Sequence, residues 1–211
     1  MKIKCITVGI IGTNCYLVQK NGFSAVLDPG ENPSFIAKAI KETLSKAPDY
    51  ILLTHTHFDH VGALGALHEL YPQAIIATSE HSKLTTELIK KQAKSLLGGY
   101  YNTTCFSTDA FEIPKPNLLL KDGDEIGPFK VLYTPGHTQD SICFYSAEDS
   151  VLFSGDTLFC NSYGRTDLGG SFEDIKVSLT SLLKLPLATT VLPGHGEATT
   201  ISDEQHLLSV L

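Results

Sequence analysis

The sequence predicts an α/β protein built as a single domain over residues 1–211. The chain has 211 residues, of which 42% are hydrophobic and 18% charged, and this is enough apolar material for one buried core. Short β-prone runs lie near both ends of the sequence, and segments with helical spacing lie between them. No internal repeat or low-complexity linker interrupts the pattern. These observations together predict helices layered on sheet.

The first third of the sequence predicts three strands, a helix and a fourth strand. The β-prone runs are 3–8, 15–19 and 23–27, and Asn21-Gly22 is a hairpin turn signal between the second and the third. Residues 33–44 have helical spacing, and Pro48 closes that helix. The apolar run that follows predicts a buried strand over 50–53, which leads into a histidine-rich segment.

The middle of the sequence predicts a helix, a strand and an insertion. Apolar residues recur at three-residue steps after His60, which predicts one helix ended by Pro72, and residues 74–77 predict the next strand. A helical pattern over 81–97 then passes into a run rich in glycine, tyrosine and proline. We interpret residues 80–116 as a helix and loop inserted into the domain, a candidate lid.

The last part of the sequence predicts three strands, a helix and a final strand. The three β-prone runs are 129–134, 141–145 and 151–154, with turn residues between them. Residues 172–185 have helical spacing, and 189–192 predict a strand that ends at Pro193-Gly194-His195-Gly196.

The most informative segment is Thr54-His55-Thr56-His57-Phe58-Asp59-His60, which holds three of the chain's eight histidines. Imidazole is the commonest metal ligand at neutral pH, and an adjacent carboxylate adds negative charge. An extended chain would place His55, His57 and Asp59 on one side, whereas a helix would pair only His55 with Asp59. A tight loop whose side chains bind two adjacent metal ions uses these three residues and His60 as well. The spacing therefore favours a dinuclear metal site.

Three further predicted strands lead to a histidine or an aspartate. His137 follows the run at 129–134, Asp156 follows the run at 151–154, and His195 follows the last strand. Loops at strand ends carry ligands because the sheet holds their bases rigidly while the loops converge. The other histidines are interpreted as surface or core residues: His68, His81 and His206. The ordered set of seven at strand ends is typical of a metal-dependent hydrolase.

The pattern H-x-H-x-D-H, followed by a distant histidine, a Gly-Asp pair and a final Gly-His pair, resembles the metallo-β-lactamase superfamily. The resemblance covers almost the whole chain and implies a four-layer αβ/βα sandwich with two divalent metal ions, zinc in preference to iron or manganese. It implies that one ion is held by His55, His57 and His137. The second would be held by Asp59, His60 and His195, with Asp156 as the bridge. Asp28 matches a carboxylate that orients one of the ligands from behind.

True β-lactamases of this superfamily generally lack an acidic bridge at the position of Asp156 and a histidine at that of His60. The presence of both favours another hydrolase subgroup. A closer resemblance is to glyoxalase II-like thioesterases of the short bacterial type. The segments that carry it are 54–62, 134–138, 155–159, 164–168 and 193–196. It implies hydrolysis of a small thioester, such as one of a 2-hydroxy acid.

Several features of the sequence depart from the glyoxalase II pattern. Long glyoxalase II enzymes carry a C-terminal helical domain that helps to hold glutathione, a tyrosine where this chain has Asp167, and H-E-Y where it has His195-Gly196-Glu197. The short type usually has a proline before the glycine pair, where this chain has Leu168. The identity of the thiol carrier is therefore left open.

The implied mechanism uses a hydroxide activated by the two metal ions to attack the carbonyl carbon, with Asp59 as both ligand and orienting group. Thiol catalysis by Cys160 is not expected, because it would need a base that is not already a ligand. Alternatives with the same fold are a lactonase and a persulfide dioxygenase with a single iron. An alternative of another class is a non-catalytic metal-binding module with a closed coordination sphere.

Candidate substrate-binding residues fall in two places. Arg165, the chain's sole arginine, either holds a substrate carboxylate through its bidentate fork or pairs with Asp167. Tyr163 in the same region, and Tyr100 and Tyr101 in the insertion, either line the substrate cleft or pack onto the core.

Composition and charge narrow the function classes and the partners. The net charge of −7 argues against nucleic-acid binding and a ribonuclease, because phosphate contacts need clustered Lys and Arg. Five cysteines without C-x-x-C spacing argue against a disulfide framework or a thiolate zinc site. No signal-peptide pattern and no apolar run of about 18 residues is present, so we expect a cytoplasmic protein without membrane contact. The substrate is expected to be a small (thio)ester, and the oligomeric state is not predicted.

Overall fold

The computed structural model describes residues 1–209 and contains two compact units. The first unit comprises residues 1–78 and 83–119, and the second comprises residues 79–82 and those from 120 onward. Each unit combines a sheet with helices. Within the described residues, no helix is long and apolar enough to cross a bilayer.

The first unit is organised on a six-stranded sheet whose strand order follows the sequence. Its strands are β1 (Lys2–Val8), β2 (Thr13–Lys20), β3 (Phe23–Leu27), β4 (Tyr50–Leu52), β5 (Ile75–Ser79) and β6 (Leu118–Leu120). The predicted hairpin joins β2 to β3, and Asn21 and Gly22 both have positive φ there, at 46° and 85°. Strands β3, β4 and β5 are parallel, so their carboxyl ends lie at one edge of the sheet.

The helices of the first unit are α1 (Pro33–Thr43), α2 (Phe58–Val61), α3 (Leu64–Leu70) and α4 (Thr86–Leu97). The prediction of one continuous helix after His60 was wrong, because the chain breaks between α2 and α3. At the break, the Ala63 N–H donates to Pro29 O at 3.0 Å and thereby leaves the helical ladder. Helix α4 begins later than the predicted 81, because the Thr85 hydroxyl accepts from the Leu88 N–H at 3.1 Å and caps it.

The core of the first unit is formed by apolar side chains from the sheet and from α1, α3 and α4. Five of its buried members belong to the predicted insertion: Ile89, Ala93, Leu97, Phe106 and Phe111. Short 3-10 turns at Gly98–Thr103 and Cys105–Ser107 follow α4. Much of the 80–116 segment is therefore packed into this core, and its movement as a lid stays a prediction.

The second unit contains another six-stranded sheet, a two-stranded hairpin and one α-helix. In chain order the elements are β7 (Glu125–Ile126), β8 (Phe129–Tyr133), β9 (Ile142–Ser146), β10 (Val151–Gly155), β11 (Leu158–Phe159), β12 (Ser162–Tyr163), α5 (Phe172–Leu182), β13 (Thr190–Pro193) and β14 (Thr199–Thr200). The sheet order is β14-β13-β10-β9-β8-β7, and β11 pairs with β12. Helix α5 buries Ile175, Leu179 and Leu182 in the core of this unit. A 3-10 helix at Asp203–Ser209 follows β14.

Candidate metal centre

In the first unit, the chain brings Asp28 and the histidine segment together at the ends of two parallel strands. Asp28 follows β3, and Thr54 and His55 follow β4. The Asp28 carboxylate accepts the Thr54 N–H at 2.8 Å on Oδ1 and the Thr54 hydroxyl at 2.7 Å on Oδ2. Asp28 is buried and has a φ of 50°, a left-handed conformation that aspartate tolerates better than most residues. Two adjacent strand ends are thus tied together through one buried carboxylate.

The histidine segment has a helical second half, where the sequence predicted a tight loop. His57 is the N-cap of α2, so that Asp59 and His60 lie in its first turn. The His55 ring centroid lies 4.9 Å from that of His57 and 4.1 Å from that of His60. All four candidate ligands of the segment are buried. The helical turn brings the His60 ring next to the His55 ring, whereas an extended chain would point His60 away from the other three side chains.

Asp28 also contacts the last histidine of the segment. Its Oδ2 lies 3.0 Å from His60 Nδ1. A carboxylate at this nitrogen favours the tautomer that carries its proton on Nδ1, which leaves the Nε2 lone pair available to a metal ion. The structure therefore places the Asp28 carboxylate next to Nδ1 of the candidate ligand His60.

Thr13 is a contributor that the sequence reasoning missed. It begins β2, is fully buried, and donates its hydroxyl hydrogen to Asp59 Oδ2 at 2.8 Å. The same carboxylate oxygen lies 3.3 Å from His60 Nε2. No periodicity could have linked Thr13 to Asp59, because 46 positions separate them along the chain.

Gly30 allows the chain to pass close to the helical turn. A Cβ added at this position would lie 2.2 Å from the main-chain oxygen of Asp59. No side chain fits at that distance. The turn after β3 and the ligand segment are therefore in direct backbone contact.

In the second unit, the three remaining candidate ligands meet although they lie far apart in sequence. Strands β8, β10 and β13 run in one direction, because β9 is antiparallel to both β8 and β10, and β13 is parallel to β10. Their carboxyl ends lead to His137, Asp156 and His195. Asp156 Oδ2 lies 3.5 Å from His137 Nε2 and 3.6 Å from His195 Nε2. The same carboxylate oxygen thus lies within 3.6 Å of two imidazole nitrogens.

The loop after β12 supports His137 through its main chain. His137 Nδ1 lies 2.7 Å from the main-chain oxygen of Arg165 and is assigned as the donor of a hydrogen bond, which puts the lone pair that could bind a metal ion on Nε2. A Cβ added at Gly164 would lie 1.8 Å from the main-chain oxygen of Asp156. The sequence placed Gly164 and Arg165 in a segment that resembles the family, but no residue type reports the use of a main-chain oxygen.

The side chain of Arg165 is engaged by its neighbour. Its Nε and one terminal nitrogen lie 2.7 Å and 2.6 Å from the two carboxylate oxygens of Asp167, and both side chains are exposed. The hydrogen bonds from Arg165 lower the pKa of Asp167 to about 2. In this structure the guanidinium fork therefore makes the pairing that the sequence left as one of two alternatives.

The three candidate tyrosines occupy different environments. Tyr100 is 66% exposed. Tyr101 packs against the core of the first unit and donates its hydroxyl hydrogen to Phe106 O at 2.9 Å. Tyr163 is partly buried against the core of the second unit. Packing therefore accounts for Tyr101 and Tyr163, and Tyr100 is the one whose ring is free to meet a ligand.

A buried polar group lies beneath His137 and Asp156. The Thr134 hydroxyl lies 3.0 Å from the Thr157 hydroxyl and 3.2 Å from Cys143 Sγ, and that thiol donates to Ser154 O at 3.5 Å. The contacts join the end of β8 to the end of β10. Cys143 is fully buried and serves as a polar link as well as a core residue.

The donor set in each unit fits a divalent transition metal. Imidazole nitrogens and carboxylate oxygens are the ligands of zinc and of non-haem iron, whereas calcium and magnesium prefer oxygen alone. His60 and His137 each have one ring nitrogen occupied by a carboxylate or a carbonyl, which is the usual support of a metal-binding histidine.

The comparison with known families identifies the chain. The metallo-β-lactamase superfamily model matches residues 8–195, and the chain belongs to that superfamily. Its members are metal-dependent hydrolases that bind divalent metals in dinuclear sites. The predicted α/β fold of the metallo-β-lactamase type is confirmed.

Two relatives of similar length show the range of names within this group. The chain is 35% identical to hydroxyacylglutathione hydrolase GloC of Haemophilus influenzae, over 97% of this chain and 95% of that protein. It is 34% identical to the probable metallo-hydrolase YqgX of Bacillus subtilis, with the same shares covered.

Solved structures give the same fold. The crystal structure of TTHA1623 in a di-iron-bound form matches with a TM-score of 0.83 and 34% identity, over 99% of this chain and 100% of that one. The B3 metallo-β-lactamase BLEG-1 matches with a TM-score of 0.80 and 32% identity, over 97% of both chains. ETHE1 from Myxococcus xanthus matches with a TM-score of 0.73 and 27% identity, over 97% of this chain and 82% of that one.

Proposed function

We propose that the protein is a dinuclear metal-dependent hydrolase of small thioesters. The proposal is carried by the position of the Asp156 carboxylate. Its Oδ2 lies 3.5 Å from His137 Nε2 and 3.6 Å from His195 Nε2. A shared carboxylate between two imidazoles fits a bridge between two ions better than a ligand of one. The superfamily membership and the resemblance to a hydroxyacylglutathione hydrolase support the reaction class.

The proposed ligands are those that the superfamily pattern implies. We assign one ion to His55, His57 and His137. The other is assigned to Asp59, His60 and His195, with Asp156 shared. The order of these residues along the chain matches the superfamily pattern, and within each unit their donor atoms lie close to one another. We propose zinc as the metal, and the di-iron form of TTHA1623 makes iron the main alternative.

When bound, two divalent ions would lower the pKa of a shared water and polarise the carbonyl of the substrate. The protein's own residues then have defined tasks. Asp28 and the Arg165 carbonyl hold His60 and His137 in the metal-binding tautomer. Thr13 fixes one oxygen of Asp59, which leaves the other to orient the attacking water. A thiolate leaves readily, so no separate general acid is required.

A β-lactam is the second candidate substrate, because the BLEG-1 structure shows that a B3 metallo-β-lactamase has this fold at 32% identity. The two reactions use the same attack on a carbonyl carbon. They differ in the leaving group, which is a ring nitrogen in a lactam and a sulfur in a thioester. Nitrogen leaves only after protonation, and we have assigned no residue as the acid that would supply the proton.

The test combines metal analysis with a substrate panel. The purified protein is analysed for zinc, iron and manganese, and it is assayed on S-lactoylglutathione, a simple acyl thioester, a lactone and a chromogenic cephalosporin. Oxygen uptake with a persulfide tests for a dioxygenase. We expect close to two metal ions per chain and the highest kcat/KM on a thioester. The proposal would be contradicted by a protein that binds no metal, or by a His57→Ala variant that keeps full activity. His206→Ala is the matched control.

A further inference from the structure

A cavity of about 400 Å³ opens beside His195 in the second unit. The residues that line it are Phe159, Cys160, His195, Gly196 and Glu197. The Phe159 ring meets the His195 ring edge to face, with 6.3 Å between the centroids. One wall of the cavity is therefore a proposed metal ligand, and a molecule inside it lies next to the proposed site of reaction.

The walls of the cavity are held in place by one buried carboxylate. Glu204 Oε2 accepts the main-chain N–H of Asn161 at 2.9 Å, and its Oε1 accepts the Thr199 hydroxyl at 2.6 Å. Asn161 lies at the tip of the β11–β12 hairpin, next to Cys160, and Thr199 follows Glu197 by two positions. Glu204 is fully buried. The two segments that form the cavity are thus fixed to each other, so the cavity is a built feature of this unit.

The cavity has one acidic wall residue. Among the described residues that line it, Glu197 alone has a carboxylate side chain, and this residue is exposed. The chain's sole arginine is engaged by Asp167 through two hydrogen bonds, and the net charge of the protein is −7. Next to Glu197 itself, and apart from the attraction that the proposed metal ions exert on any anion, a carboxylate on the ligand is repelled and a cationic group is attracted.

We propose that this cavity receives the thiol part of the substrate. Glu197 then makes the protein prefer thiols whose end remote from the sulfur is neutral or cationic over thiols that carry a carboxylate there. The inference rests on the proposed thioesterase function. His195 is assigned to the second metal ion, and the leaving sulfur would be released toward that ion, so the chain attached to the sulfur lies on the His195 side. Selection then arises from repulsion of the wrong charge as much as from attraction of the right one.

Three lactoyl thioesters of similar size test the inference. Their thiols are 3-mercaptopropionate, N-acetylcysteamine and thiocholine, which carry charges of −1, 0 and +1 at the far end. Because the thiols differ in reactivity, each variant is compared with the wild type on the same substrate. For Glu197→Gln, we expect the ratio of kcat/KM for the cationic to that for the anionic substrate to fall about tenfold, and Glu197→Lys should reverse the preference. The change should shrink in 0.5 M salt because the side chain is exposed.

Glu125→Gln is the matched control, since it removes the same charge from β7, at the other end of the sheet order from β13. A second readout does not depend on turnover. Thioether analogues of the three substrates, in which a methylene replaces the carbonyl, are titrated into the metal-free and metal-loaded protein, and Glu197→Gln should weaken the cationic analogue relative to the anionic one.

The outcomes separate the two proposals. If the protein hydrolyses the thioesters but the ratio of kcat/KM for the cationic to that for the anionic substrate changes equally in Glu197→Gln and Glu125→Gln, the role of Glu197 is overturned. The thioesterase function is then unaffected. Absence of turnover on all three thioesters by the metal-loaded wild type overturns the function and this inference with it. The proposed role of Glu197 in thiol selection is established if this ratio of kcat/KM and the affinities of the thioether analogues change only in Glu197→Gln and Glu197→Lys.

Discussion

The two groups of candidate ligands differ in how the chain brings them together. In the first unit, one segment from His55 to His60 supplies four buried side chains. Thr13 of β2 donates a hydrogen bond to Asp59, and the Asp28 carboxylate, just after β3, lies 3.0 Å from His60 Nδ1. In the second unit, three separate loops supply one side chain each, and the His195 side chain is 25% exposed beside a cavity. Under the proposed function, this difference predicts that the first group holds metal rigidly and that the second leaves one side open to substrate.

The most severe test of this comparison is the removal of one ligand from each group. We expect His57→Ala to lower kcat/KM by about a thousandfold or more and His195→Ala by about a hundredfold, because water can replace a ligand more readily at the exposed position. Metal per chain and kcat/KM are measured on both variants. His206→Ala, an exposed histidine outside both groups, is the control. A larger loss of kcat/KM in His195→Ala than in His57→Ala would contradict the expected difference between the two groups.

The second unit depends on close backbone approach, and Gly164 tests that dependence. The Cβ of an alanine at this position would lie 1.8 Å from Asp156 O, so the loop must shift. We expect Gly164→Ala to lower the free energy of unfolding by about 2–4 kcal/mol. Gly99→Ala is the matched control, because a Cβ there meets nothing within 4 Å. The free energy of unfolding of both variants is measured with denaturant. Equal values would show that the close approach at Gly164 does not limit stability.

Support of the histidines comes from a side chain in the first unit and from the main chain in the second. Asp28→Asn should therefore weaken metal binding by about 10- to 100-fold, measured by competition with a chelator. Arg165→Ala should change metal affinity by less than about twofold, because His137 bonds to the main-chain oxygen and not to the guanidinium. An Arg165→Ala protein that loses metal as Asp28→Asn does would show that the loop is held by its side chain.

A smaller effect is expected from Thr13, whose hydroxyl holds Asp59. Thr13→Val removes this donor at nearly constant volume and should weaken metal binding by about tenfold, whereas Thr13→Ser should retain most of the affinity. The same substitution at Thr134 in the second unit removes a contact between strand ends and touches no ligand directly. Thr134→Val should therefore affect unfolding more than metal affinity, and the opposite result would contradict this distinction.

The smallest effect concerns the exposed pair of Arg165 and Asp167. Hydrogen bonding to Arg165 lowers the pKa of Asp167 to about 2 in the folded protein, below the value of about 3.9 expected in the unfolded chain. A lowered folded pKa means that the pair's stabilisation is complete above pH about 4 and is lost as the pH falls toward 2. An NMR titration of the Asp167 carboxyl carbon should give a midpoint near 2, which should rise toward 4 in Arg165→Met. A midpoint that is the same in both proteins would exclude the pairing in solution.

Much of the fold could be predicted because hydrophobic periodicity reports burial within a single element. The strands β1 to β5, the hairpin at Asn21-Gly22, the helix α1 and the strands β8 to β10 follow the predicted ranges closely. The short strands β6, β7, β11, β12 and β14 were missed, since two or three residues carry no readable period. The break between α2 and α3 was also missed, because it depends on a hydrogen bond to Pro29 and not on the apolar pattern.

The sequence by itself determined which residues are candidate ligands, because residue chemistry and position after a strand are local properties. It determined their order along the chain, and that order carried the resemblance to the superfamily to which the chain belongs. The tertiary structure alone decided that Thr13 holds Asp59, that a main-chain carbonyl holds His137, and that Glu197 lines a cavity beside His195. The physical reason is that these contacts depend on packing between segments distant in the chain, which no local pattern encodes.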